Sequence, residues 1–393
     1  MALTVYSKTR NKALVNFIVF EKMENMKLRR SRLPAMLLTI VFWELSFQVS
    51  IAAASPQVAA MFVFGDSLTD NGNNNYLNSL AKANYDPYGI DFPQGSASGR
   101  FSNGNTIIDY LGDFLGLPLL PAYANPDATG SGLLQGVNYA SASAGILEET
   151  GRNLGERISF RQQVENFASN LEQLKNEMKA EQLTKYLKKS LTVVIMGSND
   201  YINNYLLTSF YATSYIYPPT TYTDLLIQQY TKRILALYSL GLRKFLIAGI
   251  GPLGCIPNQL ANNFAPPGKC ASLANDLAVM FNTQLRSLVS QLNTNYTDAI
   301  FVYGNTYGAV SDIITNSRNY GFTVTDSGCC GIGRNQGEIT CLPFSAPCVN
   351  RDQHVFRDAF HPTQAANRIL AEKAYNGPPS DCYPMNVKQM AEL

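Results

Sequence analysis

Short, largely apolar runs separated by long stretches of helical period constrain this 393-residue chain more than any other feature. The runs fall at residues 60–64, 191–196, 244–250 and 299–303, with a further short candidate at 137–141. The run at 191–196, Leu-Thr-Val-Val-Ile-Met ending at Gly197, shows no polar alternation. A strand of that kind is buried on both faces, which is the habit of a parallel sheet covered by helices. Between the runs, apolar residues recur at helical steps. Ile107, Ile108, Leu111, Phe114 and Leu115 share one face of a helix at 105–115. Phe160, Val164, Phe167, Leu171, Leu174 and Met178 form another, opened by Ser159 and Gln162 in a capping-box pattern. Further helices are expected at 223–240, 272–292 and 308–315. After roughly forty loop residues with four cysteines, a last one is expected from Pro362 to about 375. Strands alternating with helices predict one three-layer α/β/α domain over residues 61–385, with a mainly parallel five-stranded sheet and no internal repeat.

Ligands of such sheets sit outside the carboxyl ends of the strands. Ser67 follows the first strand, Gly145 the second, and Gly197-Ser198-Asn199-Asp200 the third, so all fall on one rim. A serine hydroxyl needs a neighbouring base to become a nucleophile, and the chain has only 2 histidines. His361 closes Asp358-Ala359-Phe360-His361, a spacing that lets a turn bring the carboxylate to the ring. His354 competes, with Asp352 two residues before it. Each residue also has a bland reading. Ser67 would cap a turn, Asp358 would cap the segment after it, Asn199 would form an Asx turn, and Gly145 would supply a positive φ. On the catalytic reading, the N–H of Ser67, the N–H of Gly145 and the Asn199 amide would receive the oxyanion of an acyl-transfer intermediate.

Composition narrows the partners. A hydrophobic fraction of 46%, a charged fraction of 15% and a net charge of +2 describe a globular chain without the footprint of a nucleic-acid binder. Lys27, Arg29, Arg30 and Arg32 precede an apolar run at 33–43, and Ala52-Ala53-Ala54 offers a cleavage site. Residues 1–54 therefore read as an N-terminal extension with a secretory signal peptide. Cleavage is expected after Ala54, with Ala60 as second choice and Met26 as a plausible true start. Glu44 argues against an uncleaved anchor, so no membrane span is expected afterwards. The protein is then expected outside the cell, the cell wall being one destination.

An oxidising compartment favours disulfides. Cys255 with Cys270, and Cys329 and Cys330 with Cys341 and Cys348 in some order, need only short closures, which leaves Cys382 over. Zinc would want a C-x-x-C pair or nearby histidines, and no metal or other cofactor is expected. Asn295-Tyr296-Thr297 is a glycosylation acceptor.

Four blocks in order carry a family resemblance. Gly65-Asp66-Ser67-Leu68, Gly136-Val137-Asn138-Tyr139-Ala140-Ser141 through Gly145, Gly197-Ser198-Asn199-Asp200-Tyr201 and Asp358-Ala359-Phe360-His361-Pro362-Thr363 resemble the GDSL, or SGNH, esterase/lipase family. The similarity is greatest to its plant secreted branch and runs from about residue 62 to the C-terminus. It implies a flavodoxin-like sheet, Ser67 as nucleophile, His361 as base, Asp358 as its orienter, and Ser67, Gly145 and Asn199 around the oxyanion. A small-molecule or lipid ester is the implied substrate, with no cofactor. An acyltransferase with the same acyl-enzyme, or a catalytically idle binding protein, are the alternatives. The second block departs from the branch, which often has a glycine pair where Ala142-Ser143-Ala144 stand here.

Overall fold

The computed structural model describes residues 55–393 apart from 94, 127, 263, 264 and 267, so the expected signal peptide and start codon lie outside the described residues. Four parallel strands, β1 (Met61–Gly65), β2 (Leu191–Ile195), β3 (Lys244–Ala248) and β4 (Ile300–Gly304), lie side by side in that order. Met61 pairs with Leu191, Leu191 with Lys244 and Lys244 with Ile300. A two-residue strand, β7 (Cys382–Tyr383), closes the far edge antiparallel to β4. The sheet is thus mainly parallel and five-stranded.

The segment near 137–141 runs beside β1 on the other edge. Val63 N–H donates to Val137 O at 3.1 Å and Tyr139 N–H to Val63 O at 2.8 Å. It does not form a continuous strand, because Asn138 bridges both Val63 and Ala122. With this segment counted, the parallel order is the 2-1-3-4-5 of flavodoxin-type sheets.

Side-chain alternation along each strand dresses both faces. Phe62 and Phe64 point into a large core covered by α2 (Phe160–Glu177), α4 (Pro219–Ser239) and α5 (Ser272–Asn295). Met61 and Val63 point the other way, toward α1 (Ile107–Phe114) and α8 (Val387–Glu392). Burying one such side chain contributes roughly 1.5–3 kcal/mol, so a one-residue slip of β1 would be costly on both faces at once.

The expected helices form, with shifted ends. Ser159 caps α2 by accepting from Gln162 N at 3.3 Å, while the Gln162 side chain donates along the helix to Asn166 Oδ1 at 3.1 Å rather than reaching back to the Ser159 N–H. An unforeseen helix, α3 (Ala180–Lys189), follows, burying only Leu183 and Leu187. After α6 (Thr306–Thr315), the cysteine-rich stretch expected to be loop contains β5 (Val324–Gly328) paired in parallel with β6 (His354–Phe356). Pro362 does not open the next helix. It bridges to Phe356, and Thr363 caps α7 (Gln364–Asn376) by accepting from Ala366 N at 3.3 Å.

Disulfides join Cys255 to Cys270, Cys329 to Cys348 and Cys330 to Cys341, which settles the order left open by spacing. Cys382 is free and buried.

Candidate active site

The turn after β1 is fixed from behind. Gln163 of α2 accepts from Gly65 N–H and donates back to Gly65 O, both at 2.9 Å. Thr69 and Asp70 N–H groups donate to Asp66 O at 3.1 and 2.9 Å, and Leu68 N–H to Asp66 Oδ1 at 3.0 Å. Ser67 is half-buried at the crest of this turn, and its own N–H makes no hydrogen bond among the described residues.

The polar run after Ser67 stitches this turn to the second block. Asp70 accepts from Gly72 and Asn73 N–H at 2.8 Å each, and from Ala142 N–H at 2.9 Å. Asn73 donates to Asn138 O and Ala140 O. Asp200 does the same for the third block, accepting from Ile146 N–H at 2.8 Å, Leu147 N–H at 3.1 Å and Thr150 Oγ at 2.8 Å. Burial pushes Asp66 up to about 7 and both Asp70 and Asp200 up to about 6, the backbone donors offsetting part of the penalty. The second carboxylate oxygen of Asp66 is buried with no partner, which agrees with a carboxyl that holds its proton.

Asp358 and His361 approach from the layer built on β5 and β6. His361 Nε2 lies 2.7 Å from Ser67 Oγ, and Nδ1 lies 2.8 and 3.0 Å from the two Asp358 oxygens. Asp358 also accepts from Phe360 N–H at 2.8 Å, His361 N–H at 3.0 Å and Tyr88 O–H at 2.7 Å. Asp358 thus caps the segment after it through two N–H groups while its carboxylate also reaches the His361 ring. Burial alone would raise its pKa, but the charge and hydrogen bond of His361, with Phe360 N–H and Tyr88 O–H, hold it below the ordinary 3.8. Arg357, wholly buried beside it, donates to Pro87 O at 2.9 Å.

His354 stands elsewhere. Its Nδ1 lies 3.5 Å from Cys348 Sγ and 3.1 Å from Asn350 O. With Cys329 it forms a cluster of metal-ligand type, yet both sulfurs are spent in one disulfide and are no longer thiolates.

Asn199 does not close an Asx turn. Its Nδ2 donates to Ala144 O at 2.9 Å and its Oδ1 accepts from Asn203 at 2.7 Å, which leaves its second N–H for the cavity it lines. The preceding Gly197, at φ 130°, makes the bend that a side chain would strain.

Gly145 is not among the residues that line that cavity. Its φ is not in the left-handed region, and glycine is required because a Cβ would stand 2.7 Å from both Asp200 carboxylate oxygens. The cavity wall beside Ser67 and Asn199 is Ser143 instead. Ser143 has φ 63°, is 3% exposed, and keeps a buried hydroxyl with no partner. A non-glycine residue held in that region costs of order 1–3 kcal/mol and marks a constrained position.

Sequence reasoning missed Tyr88, Ser143 and the three buried aspartates. Asp70 and Asp200 had a signal, since Asp70 heads a run of small polar turn residues and Asp200 closes one. Tyr88 had none, because it meets Asp358 across 270 positions of chain.

The cavity at Ser67 has a volume of about 260 Å³. Known proteins resemble this chain throughout the region that builds it. The GDSL-like lipase/acylhydrolase family model matches residues 61–374. A GDSL esterase/lipase of Arabidopsis thaliana is 58% identical over 337 residues, covering 85% of this chain and 88% of its own. Two others from the same plant are 53% identical over 346 residues (88% and 92% covered) and 51% identical over 344 residues (86% and 93%).

Proposed function

The chain belongs to the GDSL-like lipase/acylhydrolase family, a family of carboxylic ester hydrolases, and on that premise we propose that it cleaves acyl esters through a covalent acyl-enzyme on Ser67. The observation that carries this reading is the unbroken contact from Ser67 Oγ through the His361 ring to Asp358. His361 Nε2 takes the hydroxyl proton as Ser67 Oγ attacks the ester carbon. The carbonyl oxygen becomes an oxyanion facing the Ser67 N–H and the free Asn199 N–H. The second block offers two donors for it, the expected Gly145 N–H and the backbone of Ser143, which lines the cavity. Collapse breaks the ester C–O bond, and His361 returns its proton to the leaving alcohol. Water then attacks the acyl-enzyme, losing its proton to His361, and the acid leaves as Ser67 recovers its hydrogen. Asp358 fixes the ring and stabilises its cationic form throughout.

Three disulfides and the exposed position of Asn295 support a secreted glycoprotein acting on lipid or other acyl esters. Among the described residues, no helix is long and apolar enough to cross a membrane. The test is p-nitrophenyl ester hydrolysis, with a fluorophosphonate probe as reporter of the nucleophile. Ser67→Ala is expected to abolish both turnover and labelling while the protein stays folded. Undiminished hydrolysis by that variant would end the assignment.

A further inference from the structure

The chain between the Ser67 turn and α1 crosses to the base side and grips it at several points. Tyr85 O–H donates to Cys341 O at 2.8 Å, Asp86 O accepts from Phe344 N–H at 2.9 Å, and Pro87 O accepts from the buried Arg357 guanidinium at 2.9 Å. Tyr88 O–H donates to Asp358 Oδ2 at 2.7 Å, Asp91 pairs with Arg351, and Asn103 Oδ1 accepts from Gln364 N–H at 2.9 Å. Of these, only Tyr88 bonds a member of the proposed triad. The two oxygens of Asp358 are held differently. Oδ1 is pinned by backbone, accepting from Phe360 and His361 N–H. Oδ2 has no backbone donor among the described residues, and apart from the His361 ring at 3.0 Å its one partner is Tyr88. The last torsion of an aspartate has broad, shallow wells, so the carboxylate plane needs a donor on each oxygen to be fixed. The Tyr88 side chain is hemmed in for that task. It is 1% exposed, with the Tyr85 and Phe101 rings 5.3 and 5.9 Å away and the Arg357 guanidinium 5.3 Å over its face. Phe101 in turn lies 4.9 Å from the His361 ring. Burial, and then the charge of Asp358, push the phenol well above its usual range, so it acts as a donor only.

We propose that Tyr88 is a positioning residue for ester hydrolysis, holding the Asp358 carboxylate against the His361 ring so that Nε2 stays aimed at Ser67 Oγ. The inference rests on the acyl-enzyme reading and deepens it. Tyr88 acts through Asp358, and Asp358 through the ring, so the hydroxyl bears on the proton transfers and not on how tightly the ester is held before them. It also gives the loop a function. A segment that starts beside the nucleophile reaches across and sets the orienter of the base, which makes the two halves of the site mechanically dependent on one another.

The experiment compares Tyr88→Phe with wild type in p-nitrophenyl butyrate hydrolysis, with thermal unfolding to confirm the fold that the retained ring favours. A hydrogen bond to a charged group is worth about 10- to 100-fold, and kcat should fall by about that factor with KM little changed. Made on top of Asp358→Ala, the same change should cost less than about threefold, because the acceptor through which Tyr88 acts is gone. A purely structural role would instead multiply with the loss of Asp358. Wild type carries a second check that needs no variant to fold. In its proton NMR spectrum the Tyr88 phenol proton should exchange slowly with water and show a nuclear Overhauser contact to the proton on His361 Nδ1. An unchanged kcat, a loss confined to KM, an undiminished effect in the Asp358→Ala background, or a phenol proton that exchanges freely would each overturn the positioning role. If Ser67→Ala still abolishes hydrolysis in that case, the ester-hydrolase reading stands and only the role of Tyr88 falls. Loss of Ser67 dependence would sink the reading itself.

Discussion

Ser67 and His361 meet at one hydrogen bond but are held there by opposite means. The nucleophile side grows out of the sheet: β1, the run after Ser67 and the third block are tied by Asp66, Asp70 and Asp200, acids that burial pushes up to between about 6 and about 7. The base side stands off the sheet, on β5 and β6. There Cys329 and Cys330 N–H groups donate to Phe356 O and Arg357 O, immediately before Asp358. Its acids shift the other way. Asp358 is held low by His361, and Asp91 is held low by Arg351, with which it forms a 2.6 Å ion pair. Ser67 is thus fixed by backbone donors around protonatable acids, and His361 by covalent staples around an ionised one. The difference teaches that the two halves should fail under different conditions.

The most severe break on the base side is Asp358→Asn. It keeps the size of the side chain but favours the wrong ring tautomer, and kcat is expected to fall about 10⁴-fold. A loss under tenfold would mean that the carboxylate does not orient His361. On the nucleophile side, Asn199→Ala removes one oxyanion donor, and kcat should drop about 10²- to 10³-fold with KM little changed. A change confined to KM would place Asn199 in ground-state binding instead.

Opening the Cys329–Cys348 staple by paired serine substitution should cost about 3 kcal/mol of stability, from closure of a loop of 19 residues. It should also lower kcat, because Cys329 N–H pairs with Phe356 O two residues before Asp358, while fluorophosphonate labelling slows in parallel. Stability loss without any change in kcat would separate the staple from the base.

The smallest effect concerns pH. In the folded state Asp66, Asp70 and Asp200 keep protons that the unfolded chain, near 3.8, has released. The native form binds more protons between about pH 4 and 7, so stability falls as pH rises through that window. Asp358 acts below it, its contribution being present above 3.8 and lost as pH falls further. The melting temperature should therefore decline from pH 5 to pH 8, and Asp66→Asn should flatten part of the slope. A melting temperature that climbs across that interval would refute the protonated acids.

The two halves were unequally legible in the sequence. Strands β1 to β4 announce themselves because burial on both faces demands continuous apolar runs, and the rim positions of Ser67 and Asn199 follow from their ends. The β5–β6 layer is silent, since Val324–Gly328 reads Val-Thr-Asp-Ser-Gly and is largely half-exposed. Periodicity cannot find a strand that buries no stripe. Helix α3 is the opposite case, since Leu183 and Leu187 stand four apart on one face and its pattern was open to periodicity. His361 was chosen over His354 on pattern, and the fold separates them by putting His354 against Cys348. Gly145 is expected as a donor from its place on the rim and from the family resemblance. The close approach to Asp200 that also demands glycine there depends on a contact with the third block that spacing cannot reveal.

The central claim is that Ser67 and His361 act as one unit across the 2.7 Å contact. Its most direct measurement is the hydrolysis rate of Ser67→Ala, His361→Ala and the double variant under one set of conditions. If the two residues form a single relay, each single variant loses nearly all enzyme-catalysed turnover and the double loses no more. Independent, multiplying losses, or a single variant that retains substantial turnover, would contradict it.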